Sequence, residues 1–167
     1  MVQRNILIDG QVIKYDGIMD AKKLCSVVYH WFKEHHYNLV EKWNFEQTFE
    51  EGKQMEVKLM PFKRYDDYTK SEIKATMVFS KLKEVEVELN GVKRKLWKGT
   101  VTISFRATLI TDAHNRWNEK PFMFFFRVLM DKFILKGPVG QAEDHCKADC
   151  ERLMDEVKSF LNLYRFT

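Results

Sequence analysis

Ile73-Lys-Ala-Thr-Met-Val-Phe79 and Val101-Thr-Ile-Ser-Phe-Arg-Ala-Thr-Leu109 put their apolar side chains at odd positions, with mostly polar residues between. The same parity extends back through Trp43, Phe45, Phe49, Met55, Val57 and Leu59, and forward through Val85, Val87 and Leu89. Successive side chains on a strand point to opposite faces, so this pattern describes an antiparallel sheet with one wet face and one dry face. A dry face must be covered. From Gln141 to Tyr164 the apolar residues change to helical spacing: Cys146, Cys150, Leu153, Met154, Val157, Phe160, Leu161 and Tyr164. Glu143 and Asp144 near the start of that helix, and Lys158 and Arg165 near its end, suit its dipole.

Asn90-Gly91 fixes the register of the longest hairpin, because both residues accept the positive φ of a type I′ turn. The turn pairs Leu89 with Val92, Glu88 with Lys93, Val87 with Arg94, Glu86 with Lys95 and Val85 with Leu96. Glu84, Glu86 and Glu88 then face Trp97, Lys95 and Lys93 on the wet side. The apolar parity changes between Leu96 and Val101, so a bulge at or near Gly99 is expected to restore the dry face and bend the sheet. In the preceding hairpin, a three-residue loop Glu51-Gly52-Lys53 pairs Phe49 with Met55, Gln47 with Val57 and Phe45 with Leu59, matching the dry faces. Pro61 predicts an edge or a bulge, and Tyr65-Asp-Asp-Tyr68 a turn.

At the N-terminus, Ile6-Leu-Ile8 and Val12-Ile13 flank Asp9-Gly10. This reads as a short hairpin, or alternatively as one kinked strand. Asp20 is expected to cap a helix whose stripe is Leu24, Val27, Val28, Trp31, Phe32 and His35, ending near Tyr37-Asn38. Phe122 to Leu135 predicts a further helix that is apolar nearly all round and stops at Gly137-Pro138.

The length of 167 residues fits a single domain, 1–167, with a sizeable core. The formal charge of +4 is too mild to argue for nucleic acid, and no nucleic-acid partner is expected. Lys93-Arg-Lys95 beside Trp97 resembles a nucleic-acid patch, but its register sets the two lysines against Glu88 and Glu86. Three cysteines make no disulfide framework, and Met1–Asn5 lacks the apolar core of a secretory signal. Together these point to a cytoplasmic protein. No run is long enough to span a bilayer.

Ile6–Tyr15, Asp20–Tyr37, Leu39–Asp112 and Gln141–Tyr164 give the order strand, helix, about six antiparallel strands, long helix. This order resembles the helix-grip architecture of the START-like, or SRPBCC, superfamily. The resemblance implies an α+β fold in which a curved antiparallel sheet of six to seven strands wraps a long C-terminal helix around an apolar cavity. The additional apolar helix before that last helix departs from the usual short connection. The superfamily includes lipid carriers, hormone receptors, polyketide cyclases, oxygenase subunits and chaperone activators, and fold alone does not choose among them.

The favoured expectation is non-catalytic binding of a small apolar ligand between the sheet and the C-terminal helix. Its lining would come from Trp43, Phe45, Met55, Val57, Met77, Phe105, Leu153 and Val157, with Gln47 or Tyr164 as polar contact. An alternative is an interaction module, through a homodimer or peripheral membrane contact, built on Trp117, Phe122, Phe125, Phe126 and Phe133. A second alternative is a cyclase-like enzyme with His35, or an Asp near the cavity mouth, as base. His145, Cys146, Asp149 and Cys150 lie within two helical turns, but the cysteines begin the apolar stripe while His145 and Asp149 turn toward solvent. Neither a metal nor another cofactor is therefore expected.

Overall fold

A computed structural model describes the backbone at residues 3–111, 129 and 136–164, with side chains throughout except at 41–43, 136 and 164. The elements are β1 (Gln3–Met19), α1 (Ala21–Glu34), β2 (Glu41–Phe49), β3 (Gly52–Leu59), β4 (Phe62–Arg64), β5 (Thr69–Leu89), β6 (Val92–Thr111) and α2 (Lys136–Tyr164). All strand pairs are antiparallel, in the order β1-β6-β5-β3-β2 with β4 also on β5. The fold is α+β, an open six-stranded sheet with an early helix and a long terminal one, consistent with a helix-grip layout. Of the expected apolar helix at 121–135 only Leu129 is described, helical and 39% exposed; the rest, with Trp117, lies outside the described residues. No helix among the described residues is long and apolar enough to cross a membrane.

The dry face is the one the odd parity describes. Ile73, Ala75, Met77 and Phe79 of β5 and Val101, Ile103, Phe105 and Ala107 of β6 are buried in one cluster with Cys146, Cys150, Leu153, Met154, Val157, Phe160 and Leu161 of α2. The helix lies on β1, β5 and β6 and touches α1. It begins five residues before the expected Gln141 and runs through Gly137-Pro138, since proline is tolerated in a first turn whose N–H groups have no partner anyway. Glu143 and Asp144 therefore sit beyond the first turn, and the dipole argument does not apply to them.

The β5–β6 register is the one Asn90-Gly91 dictates, from Leu89 opposite Val92 through Val85 opposite Leu96. Both turn residues have positive φ, 52° and 77°, as a type I′ turn requires. The bulge is next to Gly99 but on the facing strand. Lys81 and Leu82 together oppose Gly99, and Lys81 takes the left-handed conformation at φ 56°. β6 itself has no extra residue, so Trp97, not Leu96, follows Val101 and Gly99 onto the concave side. Trp97 packs against the core cluster, to which Leu96 does not belong. Leu96 is buried, at 3% exposure, on the other side of the hairpin, and Glu84, Glu86 and Glu88 are exposed to water as expected; the side they occupy continues that of Val101.

In β1 the alternative reading holds, and between β2 and β3 the register differs from expectation. β1 is one continuous strand, because β6 is long enough to pair with nearly all of it. Asp9-Gly10 is a bulge in that ladder, with Gly10 at φ 64° and Asp9 accepting a hydrogen bond from Arg106 Nε at 2.8 Å. Between β2 and β3 the turn has two residues, pairing Phe49 with Gly52, Glu46 with Met55 and Asn44 with Val57. Phe45 and Phe49 therefore belong to the face opposite Met55 and Val57. β2 is an edge strand exposed from Asn44 to Phe49, so apolar parity does not constrain its register. Pro61 interrupts a single line of pairing. Leu59 faces Ala75, the Pro61 carbonyl accepts from Ile73 N at 3.1 Å, and Phe62 faces Glu72.

Gly99 is glycine for reasons of space. A Cβ there would lie 2.8 Å from the Ser80 carbonyl oxygen and 3.0 Å from both the Lys81 carbonyl oxygen and Leu82 Cδ2. Gly99→Val is expected to lower unfolding free energy by about 1–3 kcal/mol, the range for overpacking against a backbone that cannot retreat. The exchange Glu88→Lys with Lys93→Glu is expected to change it by under about 1 kcal/mol, since the pair is exposed. Denaturant melts of both variants check the register. A harmless Gly99→Val beside a damaging charge exchange would contradict it.

Candidate functional site

The strand register brings Met55, Val57 and Leu59 of β3 to the same face as Met77 of β5, with Val57 directly opposite Met77. Across from them runs α1, which has two working faces. Ala21, Leu24, Val28, Trp31 and Phe32 are buried in the core. Lys22, Cys25, Ser26 and Tyr29, at i, i+3, i+4 and i+7, form a second stripe on the same helix. This stripe and the β3–β5 floor enclose a groove of about 340 Å³, with Asn44 of β2 at its outer edge. That volume lies at the small end of the range for small-molecule pockets. Met55 is the partly exposed part of the floor, while Val57 is buried and Met77 closes it from behind with no exposure of its own. Asn44 reaches the groove because it pairs with Val57. Glu46, paired with Met55, is held by an ion pair to Lys53, which also lies over the Trp97 ring at 5.4 Å.

Of the expected lining residues, the structure gathers Met55, Val57 and Met77 here. Phe105, Leu153 and Val157 are core residues beneath α2, at most 1% exposed. The groove that holds Met55, Val57 and Met77 opens beside α1 instead. Phe45 is 39% exposed on the opposite face, and Gln47 is exposed opposite Gln54. Trp43 faces Lys58 in the ladder and Tyr164 ends α2. Trp117, Phe122, Phe125, Phe126 and Phe133 lie outside the described residues. Lys22, Cys25, Ser26, Tyr29 and Asn44 escape a search for apolar periodicity. The signal that finds the first four is a second, half-polar stripe on α1 at helical spacing, whereas Asn44 follows only from the β2–β3 register.

The histidines have local roles. A capping bond from Lys23 N to Asp20 Oδ1 at 3.0 Å starts α1, as expected. Its other end is a Schellman motif. Tyr37 N donates to the Phe32 carbonyl at 2.9 Å and His36 N to the Lys33 carbonyl at 3.2 Å. His36 holds the left-handed position at φ 61°, and the Phe32 and Tyr37 rings meet edge to face at 5.5 Å. His35 stacks on Trp31 at 3.9 Å, with Nδ1 2.8 Å from the Trp31 carbonyl. A carbonyl can only accept, so Nδ1 carries the proton. Likewise His30 Nδ1 lies 3.0 Å from the Ser26 carbonyl.

Asp149 is placed differently from its sequence expectation. It is 7% exposed, and Oδ2 accepts a hydrogen bond from the Tyr37 hydroxyl at 2.9 Å, joining the end of α1 to α2. His145 is exposed. Burial, then the nearby Asp149 carboxylate, pushes the Tyr37 hydroxyl far up from its ordinary value. The same two causes push the Cys146 thiol up to about 12. The Cys150 thiol is also pushed up to about 12, first by burial and then by Cys146. Such thiols are poor nucleophiles and poor metal ligands, and no group of metal-binding side chains converges among the described residues. Asp66 Oδ1 accepts from Tyr68 N at 2.7 Å and Thr69 N at 2.5 Å, so Asp66-Asp67 is a turn.

These geometries generate two predictions. Glycine holds the left-handed conformation without the Cβ strain that His36 bears, so His36→Gly is expected to raise stability by about 0.5–1 kcal/mol in thermal or denaturant melts. The raised thiols favour the protonated form in the folded state. Their contribution is complete below the unfolded value of 9 and lost as pH rises toward 12. Unfolding free energy is therefore expected to fall from pH 9 to 12, with up to about one proton released per thiol on unfolding. In a Cys146→Ala/Cys150→Ala variant the slope over that interval is expected to flatten, and an unchanged slope would show that the thiols are not its source.

No family model matches the chain and no curated protein matches it in sequence, so its function is argued from the chemistry of the groove.

Proposed function

We propose that this protein binds a small apolar ligand, without transforming it, in the groove between α1 and the β3–β5 floor. The observation that carries this reading is an apolar floor beside α1 that is left partly uncovered at Met55. Met55 and Val57 face a space of about 340 Å³, while the neighbouring Phe79, Val101, Ile103 and Leu153 are fully inaccessible. Interiors are normally packed to crystal density, so an unfilled apolar recess is a place where a ligand gains burial without moving the core. The gain is mostly the ligand's own, about 0.8 kcal/mol for each CH₂ it buries against this floor. Several such groups support micromolar to millimolar binding once the entropy of association is subtracted. Ser26, Tyr29 and Asn44 on the rim supply hydrogen-bonding groups that orient a ligand.

The test is to fill the groove from the protein's side. Met55→Trp adds bulk at a half-exposed floor position, where the core need not yield. It is expected to weaken binding of an apolar fluorescent dye by about tenfold or more, as loss of one well-buried contact implies. The melting temperature is expected to stay within a few degrees. Extraction after gentle purification, followed by mass spectrometry, is expected to release a low-mass apolar compound from the wild type and less from the variant. Absence of saturable dye binding together with an empty extract would refute the proposal.

A further inference from the structure

We infer that the ligand is a single-chain amphiphile with an anionic head, seated by Lys22 at one end of the groove. The inference rests on the groove being a ligand site and adds what its charge selects. Among the described lining residues one is cationic, Lys22, and none is acidic. Lys22 is exposed and, like most of the described lysines, makes no ion pair among the described residues, so its charge is available to a ligand.

Its position is unfavourable for the protein alone. Lys22 and Lys23 occupy the first turn of α1, where the helix dipole disfavours cations, and that turn has no acidic residue. Asp20 at the cap is engaged with the Lys23 backbone N–H. An anion beside Lys22 would therefore meet a cation and the positive end of a helix together.

The geometry gives the ligand its polarity. Lys22, Cys25, Ser26 and Tyr29 follow one another along α1, so at 1.5 Å per residue the wall runs about 10 Å from Lys22 to Tyr29. Facing it, Met55, Val57 and Leu59 succeed one another along one side of β3 over a similar length. A charged head at Lys22 leaves a chain of about eight to ten carbons to lie along the apolar floor toward Tyr29.

Four decyl compounds on the full-length protein test this: decanoate, decyl phosphate, decanol and decyltrimethylammonium, read by the methyl resonances of Met55 and Met77. Decanoate is expected to bind about three- to fivefold more tightly than decanol, the gain that a partly exposed charge pair supports. The cationic compound is expected to bind most weakly. Lys22→Gln is expected to erase the preference for decanoate over decanol, Lys22→Arg to retain it, and Lys23→Gln to leave it unchanged. Preference for decyl phosphate over decanoate, lost in Lys22→Gln, would also support the inference and assign a dianionic head. Equal binding of decanoate and decanol, or a preference that survives Lys22→Gln, would overturn the anionic head while leaving the groove as an apolar site. Acetate shifting the two methyls as strongly as decanoate would overturn the amphiphile. If no decyl compound moves either methyl, the groove reading itself fails.

Discussion

The bulge at Lys81–Leu82 is the constraint to which the rest of the sheet conforms. It lies between two glycines on the flanking strands. A Cβ at Gly99 of β6 would strike the Ser80 and Lys81 carbonyls, and one at Gly52 of β3 would lie 2.9 Å from the Lys81 carbonyl carbon. An extra residue in a central strand bends it and increases its twist. Here both neighbours must come close for the bend to keep its hydrogen bonds, and absence of a side chain on each side allows this. The bend also places Leu82 over Gly99 and so completes the concave face. Beyond it the hairpin leaves the helices behind, and the face that carries Phe79 and Val101 changes to Glu84 and Trp97.

Residues were readable from the sequence where one local rule had a single solution. Asn90-Gly91 admits one tight turn, and six consecutive pairs follow from it. Asp20 before an apolar stripe admits one helix start. The dry face of β5 and β6 was readable because both strands are central and one side is fully covered. The β2–β3 register was not, because β2 is an edge strand whose Phe45 and Phe49 are 39% and 48% exposed. When neither face is fully buried, alternation no longer decides between neighbouring registers. Asp9-Gly10 has the composition of a hairpin turn and equally that of a glycine bulge. Only the length of the partner strand β6 separates the two.

Asp149 shows a different limit. Helical spacing places it beside the apolar stripe, and a carboxylate there is expected to face water. Its position depends on Tyr37, 112 residues away in sequence, whose hydroxyl reaches it only because the Schellman turn at His36 directs the chain back over Phe32. A buried carboxylate is tolerated when a donor satisfies it, and Arg152, with NH1 3.7 Å from Oδ1, adds a positive charge at the surface. No pattern within either helix encodes that meeting. It is a property of how α1 ends.

The same helix explains why the groove lies where it does. α2 carries one apolar stripe, and Leu153 and Val157 on it are fully buried against the sheet. α1 must satisfy two neighbours, since its buried stripe joins the core shared with α2 while its Lys22–Tyr29 stripe overhangs β3 and β5. Closing that second contact would require apolar side chains at positions 22 and 26, as at Leu24 and Val28. Lysine and serine stand there instead, and neither can cover Met55 and Val57 without desolvating a polar group at a cost that exceeds the gain. The recess is therefore stable as an opening. Moving α1 inward would strand the Lys22 ammonium against methionine, and moving it outward would uncover Leu24, Val28 and Phe32.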